Sequence, residues 1–170
     1  GKAKVDVMRE RIAQINTDCK VDAIEEHLAL DNLDTLLTNN YDYVIDCVDG
    51  FRIKAALIAY CKRNKIRIIP VGGAGGPIDP TSIQVADLSR TEHDALLSKT
   101  RQLLRHEYNF SRNLKRRFDI ACVYSLEQPV FPSEDGNVTP EKPDNTGGLN
   151  CAGGLGSVTP VTATFGMVAA

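Results

Sequence analysis

The stretch YVIDCVDGFRIKAALIAYCKRNKIRIIPVGG, residues 43–73, decides the fold. Tyr43 to Val48 is apolar apart from Asp46 and has the length of a buried strand, and it ends at Asp49-Gly50. From Ile53 to Lys65, Ala56, Leu57, Tyr60 and Cys61 recur at helical spacing. Lys62, Arg63 and Lys65 gather where the negative end of a helix dipole favours cations. Ile66 to Val71 is β-branched and apolar and stops at Gly72-Gly73. Strand, helix and strand at this spacing form a crossover between parallel strands, so the expected class is α/β with a mostly parallel sheet.

Outward from this unit, Val5, Met8, Ile12 and Ile15 predict a helix from about Lys2 to Asn16. Weak alternation predicts a short strand over Val21–Leu28. Asp31 is the expected N-cap of a helix carrying Leu33, Leu36 and Leu37. On the other side, Pro77-Ile78-Asp79-Pro80 reads as a turn and Ile83–Leu88 as a strand. A helix from His93 to Tyr108 follows, and then a strand over Ile120–Tyr124. Residues 133–157, rich in Gly, Pro, Asn and Asp, read as a long mobile flap on a single domain spanning 1–170.

At 170 residues, with 42% hydrophobic and 25% charged residues, the chain has enough apolar material for one core. A net charge of −2 argues against coating nucleic acid by overall charge, while leaving room for a local basic patch. The five cysteines, Cys19, Cys47, Cys61, Cys122 and Cys151, are scattered and form no C-x-x-C pair. A structural zinc site is therefore not expected, and reduced cytoplasmic thiols are. No secretory leader is visible, and the absence of an initiator Met reads as a piece of a longer chain. Val158–Ala170 is the one segment with membrane character, but Thr159, Pro160, Thr162 and Thr164 interrupt it. As it stands it is too short to span a bilayer, though the chain stops before the segment does, which leaves membrane association of this end open.

Several groups have the makings of a site. Ligands of parallel sheets bind beyond the carboxyl ends of the strands, which places Asp49 well for Mg²⁺ on a nucleotide phosphate. The plainer reading is that Asp49 caps the helix starting near Phe51. Lys4, in a first helical turn, is either a solvated cation or a phosphate contact. Gly72-Gly73-Ala74-Gly75-Gly76 is either a plain turn or a place of close backbone approach, and no P-loop Gly-Lys follows it. Gly153-Gly154-Leu155-Gly156-Ser157 mimics a dinucleotide loop but lacks the apolar strand that must precede one. Lys99, Arg101, Arg105, Arg112, Lys115, Arg116 and Arg117 stand against Glu107 alone, interleaved with Tyr108, Phe110 and Phe118. Such a stripe is either a solvated face or a surface for phosphates and unpaired bases.

Gly-Lys-Ala-Lys-Val (1–5) and Asp-Cys-Val-Asp-Gly (46–50), with the lengths between them, resemble the HesA/MoeB/ThiF family, relatives of the ubiquitin-activating enzymes. The resemblance implies a Rossmann-like fold, ATP and Mg²⁺, and adenylation of a carboxylate. It places Lys4 on the ATP phosphates and Asp49, with Gly50, at the Mg²⁺–ATP, making Asp49 the catalytic residue. It also implies a homodimer, and a glycine-rich ATP loop that should precede Gly1, so the chain alone is expected to be inactive.

Residues 54–61, 72–81 and 161–166 and the context Asn150-Cys151-Ala152-Gly153 are similar to one branch of that family, the threonylcarbamoyladenosine dehydratases of tRNA. That branch implies an ATP-dependent cyclisation beside the anticodon, with tRNA as partner and Arg112, Lys115, Arg116 and Arg117 as its expected contacts. The alternative is an activator of a sulfur-carrier or ubiquitin-like protein, in which Cys122 or Cys151 would carry the acyl group or sulfur.

Overall fold

The computed structural model describes residues 1–37, 41–128, 130–133, 137–139 and 156–170. The crossover unit forms as its sequence dictates. Strand β1 (Tyr43–Asp46) leads into helix α3 (Phe51–Arg63) and then strand β2 (Arg67–Pro70). β1 and β2 pair in parallel, with Tyr43 opposite Arg67 and Asp46 opposite Pro70. Strand β4 (Ala121–Ser125) joins this pair through one parallel bridge, Val71 to Val123, where the Gly72 N–H donates to the Val123 carbonyl at 2.8 Å. Strand β3 (Ile83–Asp87) closes the order β1-β2-β4-β3 by pairing antiparallel to β4. The sheet is thus mostly parallel with one antiparallel edge strand.

Alternation along β2 and β4 sorts their side chains onto two faces. Ile68, Cys122 and Tyr124 join one core, with Leu57 and Ile58 of α3 and Leu97 and Leu104 of helix α4 (Ala95–Glu107). Ile69, Val71 and Val123 point the other way, onto Val161, Phe165 and Ala169 of helix α5 (Thr159–Ala169). Val161, Phe165 and Ala169 are thereby spent on a core face, while Val158, Met167 and Val168 stay exposed. No helix among the described residues is long and apolar enough to cross a membrane. A short pair, β5 (Phe131–Pro132) with β6 (Val138–Thr139), stands apart from the main sheet. Most of the expected flap lies outside the described residues.

Four sequence expectations are corrected. No strand forms over Val21–Leu28, because the described residues offer that segment no neighbouring strand to bond. The N-cap position of helix α2 (Leu33–Leu36) is Asn32 rather than Asp31. The Asn32 side chain instead accepts from the Ala29 N–H and donates to the His27 carbonyl, closing the preceding turn. Strand β1 is open on one face, with Tyr43 and Ile45 exposed, because α3 covers only the other face. Helix α1 (Lys4–Ile15) forms but buries none of its residues, so its stripe leaves Met8 and Ile15 in solvent.

Candidate active site

The carboxyl edge of β1 is pinned at Asp46, a lone acid inside an apolar strand. Its side chain and that of Lys54, in the first turns of α3, are both fully buried and lie 2.9 Å apart. Lys54 Nζ also donates to the Asp46 carbonyl at 3.2 Å, and the Val71 N–H donates to that same carbonyl at 2.8 Å. Asp46 Oδ1 accepts from the Val48 N–H at 2.9 Å, which turns the chain out of the strand. One ion pair therefore ties the end of β1, the start of α3 and the end of β2. Burial pushes the Asp46 carboxyl up, while Lys54 and the Val48 N–H pull it back. A buried pair of this kind costs desolvation to form, but removing either partner strands a charge.

Asp94 pins the neighbouring edge in the same manner. Its Oδ1 accepts from the Leu97 N–H, capping α4, and its Oδ2 accepts from the Gly73 N–H, each at 2.8 Å. Burial pushes this carboxyl up too, against the N–H groups of Leu97 and Gly73 and the charge of Lys54. A Cβ at Gly72 would stand 2.2 Å from Asp94 Oδ2, so any side chain there must push that carboxylate from its place. The close approach that this glycine run permits is to the protein's own carboxylate.

Between these two anchors the loop over residues 47–50 projects beyond the sheet. Asp49 and Gly50 are exposed. The N-cap of α3 is Gly50, with no side-chain capping bond and no acidic residue in the first turn. Asp49 is thus not the helix cap, and it makes no hydrogen bond or ion pair among the described residues. A free carboxylate beside an uncapped helix start, whose N–H groups and dipole favour anions, suits Mg²⁺ together with phosphate. No cluster of three or more His, Cys, Asp or Glu among the described residues could hold a metal by itself. The residues present would fit Mg²⁺ only if phosphate and water supplied most of its ligands, with Asp49 as the carboxylate at hand.

The other expected residues fall elsewhere. Lys4 opens α1 and is exposed, and no bond among the described residues joins it to the loop of Asp49. Arg112, Lys115, Arg116 and Arg117 are all exposed on the connection from α4 to β4. Asp87 braces that connection by accepting from the Phe118 and Ile120 N–H groups at 3.0 and 3.3 Å. Phe118 packs edge-on to Phe110 with ring centres 4.9 Å apart. Cys122 is fully buried on β4, and burial, then Asp94, push its thiol far above the ordinary range. That is a protonated core thiol, whereas a thioester requires an accessible thiolate. Cys151 lies outside the described residues. Sequence reasoning missed the buried Lys54 and the partly buried Asp94, which hold the site's frame.

Residues 1–169 match the ThiF family. The chain belongs to that family. Within it, the chain is 48% identical over 169 residues to a tRNA threonylcarbamoyladenosine dehydratase of Haemophilus influenzae, a match covering 99% of this chain and 63% of the relative. Among solved structures it is similar to TcdA (CsdL), with a TM-score of 0.86 and 46% identity over 99% of this chain and 62% of that one. It is also similar to the Escherichia coli tRNA N6-threonylcarbamoyladenosine dehydratase solved in complex with ATP. There the TM-score is 0.84 and the identity 43%, over 99% of this chain and 61% of that one. The same Escherichia coli protein in complex with AMP superposes with a TM-score of 0.83. The chain therefore spans less than two thirds of the relatives it matches.

Proposed function

We propose that this chain serves the ATP-dependent dehydration of threonylcarbamoyladenosine beside the anticodon of tRNA, an AMP-forming cyclisation. The observation that carries the reading is the free Asp49 carboxylate at the uncapped start of α3, on the carboxyl edge of a parallel sheet. The names of the relatives support the substrate, and the ATP and AMP complexes of the Escherichia coli protein support the nucleotide.

The substrate's carboxylate attacks the α-phosphorus of ATP and pyrophosphate leaves. The resulting mixed anhydride makes a poor leaving group into AMP. A nucleophile within the threonylcarbamoyl group then attacks the activated carbon, and ring closure expels AMP. The net change is loss of one water, so water must be kept from the anhydride. Asp49 would hold Mg²⁺, which when bound neutralises phosphate charge. Gly50 lets the backbone approach the nucleotide, Lys4 offsets phosphate charge, and Arg112, Lys115, Arg116 and Arg117 dock the tRNA. The resemblance that supports ATP supports a homodimer as well, which sedimentation of the chain would test.

Because the relatives are longer, the test is a graft in which residues 1–169 replace the matching segment of the Haemophilus influenzae relative. AMP release is followed with ATP and Mg²⁺ in the presence of modified tRNA, of a sulfur-carrier protein, or of neither. The reading expects AMP only with modified tRNA. AMP release that depends on the carrier protein, with a thiol-sensitive adduct, would overturn it.

A further inference from the structure

We propose that a cleft beside α4, lined by Arg101, Arg105 and Arg112, seats one backbone phosphate of the tRNA. The inference rests on the tRNA reading above and deepens it, because it separates these arginines from the exposed row that follows them. Arg101 and Arg105 lie one helical turn apart, an arrangement that costs stability for like charges unless an anion lies between them. With Arg112, Ser98, Gln102 and His106 they line a cleft of about 320 Å³ that contains no acidic side chain. No carboxylate among the described residues forms an ion pair with any of the three arginines.

Two of the three are held in position by other contacts. Arg101 Nη1 donates to Thr91 Oγ1, whose residue is buried. Arg105 Nε donates to the Ser111 carbonyl at 3.4 Å, and its guanidinium lies over the Phe118 ring, 5.0 Å from the centre. Each guanidinium carries five N–H donors, so several remain uncommitted beside the cleft that these residues line. Burial, and then the charge of Arg105, depress the Arg101 guanidinium against the opposing charge of Asp94, and a bound anion relieves the crowding with Arg105. Arg112 makes no hydrogen bond or ion pair among the described residues and is free to close over a ligand. Planar forks of this kind suit the non-bridging oxygens of phosphate. The lining contains no Phe, Tyr or Trp on which a base would stack, which favours the phosphate of a polymer over a free nucleotide. Arg112 lines the cleft and also opens the exposed loop that carries Lys115, Arg116 and Arg117, so a strand docked along that loop passes the cleft through Arg112.

The 170-residue chain is titrated against tRNA carrying threonylcarbamoyladenosine over a range of salt, by fluorescence anisotropy, alongside thermal melts. Arg112→Ala and Arg105→Gln are each expected to lower the log–log salt slope by about 0.7 to 0.9, the value of one phosphate contact. Their combination is expected to lower it no further, because both lose the same phosphate. Additive losses would mean separate phosphates and overturn the pocket, as would an unchanged slope in the single variants. If Arg105→Gln fails to fold through loss of its contact with Phe118, Arg105→Lys replaces it. Keeping the charge and losing the fork, it is expected to weaken tRNA affinity at fixed salt while leaving the slope as in wild type, and wild-type affinity in that variant would overturn the pocket. A wild-type chain whose tRNA affinity shows no salt dependence would instead defeat the docking reading itself, and the pocket with it.

Discussion

Lys54→Met removes the cation from the buried pair that frames the site while keeping the length of the side chain. Both members of that pair are fully buried. Among the described residues Asp46 Oδ2 has no partner but Lys54, so the variant leaves a carboxylate stranded in the core. Breaking such a pair costs about 3–5 kcal/mol. For a domain of this size that is a fall in Tm of roughly 6 to 20 °C. The loss should also depend on pH. With Lys54 gone, burial acts on the Asp46 carboxyl unopposed by a cation and raises it further above its unfolded value. The folded state then holds more protons between the two values, so stability is full at low pH and is lost as pH rises through the folded value. Lys54→Met should therefore melt higher at about pH 5 than at about pH 8, measured against wild type at each pH. Adding Asp46→Asn, which keeps an acceptor for the Val48 N–H, should recover most of the loss and remove the pH dependence. A Lys54→Met melting curve equal to wild type at both pH values would refute the claim that this pair holds the loop of Asp49.

Gly72→Ala should cost about 1–3 kcal/mol, read as a lower denaturant midpoint, because its Cβ would displace the Asp94 carboxylate from the Gly73 N–H. Thiol reagents should label the exposed Cys19 and Cys47 at once and reach Cys61 and Cys122 only on unfolding. In the grafted enzyme Cys122→Ser should keep dehydratase activity at least in part, since the nucleophile lies in the substrate; complete loss in a folded variant would return Cys122 to the chemistry.

The βαβ unit was legible because two apolar runs of strand length, Tyr43–Val48 and Ile66–Val71, flank a stretch whose apolar residues recur at helical spacing. Asp49 was legible from its place just past a strand, but its release from capping was not, since the choice of Gly50 as cap depends on where α3 actually begins. The false strand at Val21–Leu28 shows the limit of alternation, which records a face but supplies no hydrogen-bonding neighbour. Lys54 and Asp94 were missed for a related reason. An isolated Lys among Ile53, Ala55 and Ala56 marks a charge that must find a partner, yet the partner lies on a different element. Arg101 and Arg105 stood out only as part of a basic run, and the structure separates them from it by turning the chain after Tyr108.

The central claim is tested most directly by mass analysis of the modified nucleoside after the grafted enzyme, carrying residues 1–169, has acted on tRNA with ATP and Mg²⁺. The account predicts conversion to a product lighter by one water, with one AMP released per product. Asp49→Asn, which keeps the shape but loses the charge that Mg²⁺ requires, should abolish conversion without lowering the melting temperature. Conversion by the Asn variant at the wild-type rate, or a folded graft that binds ATP and modified tRNA yet leaves the nucleoside mass unchanged, would contradict it.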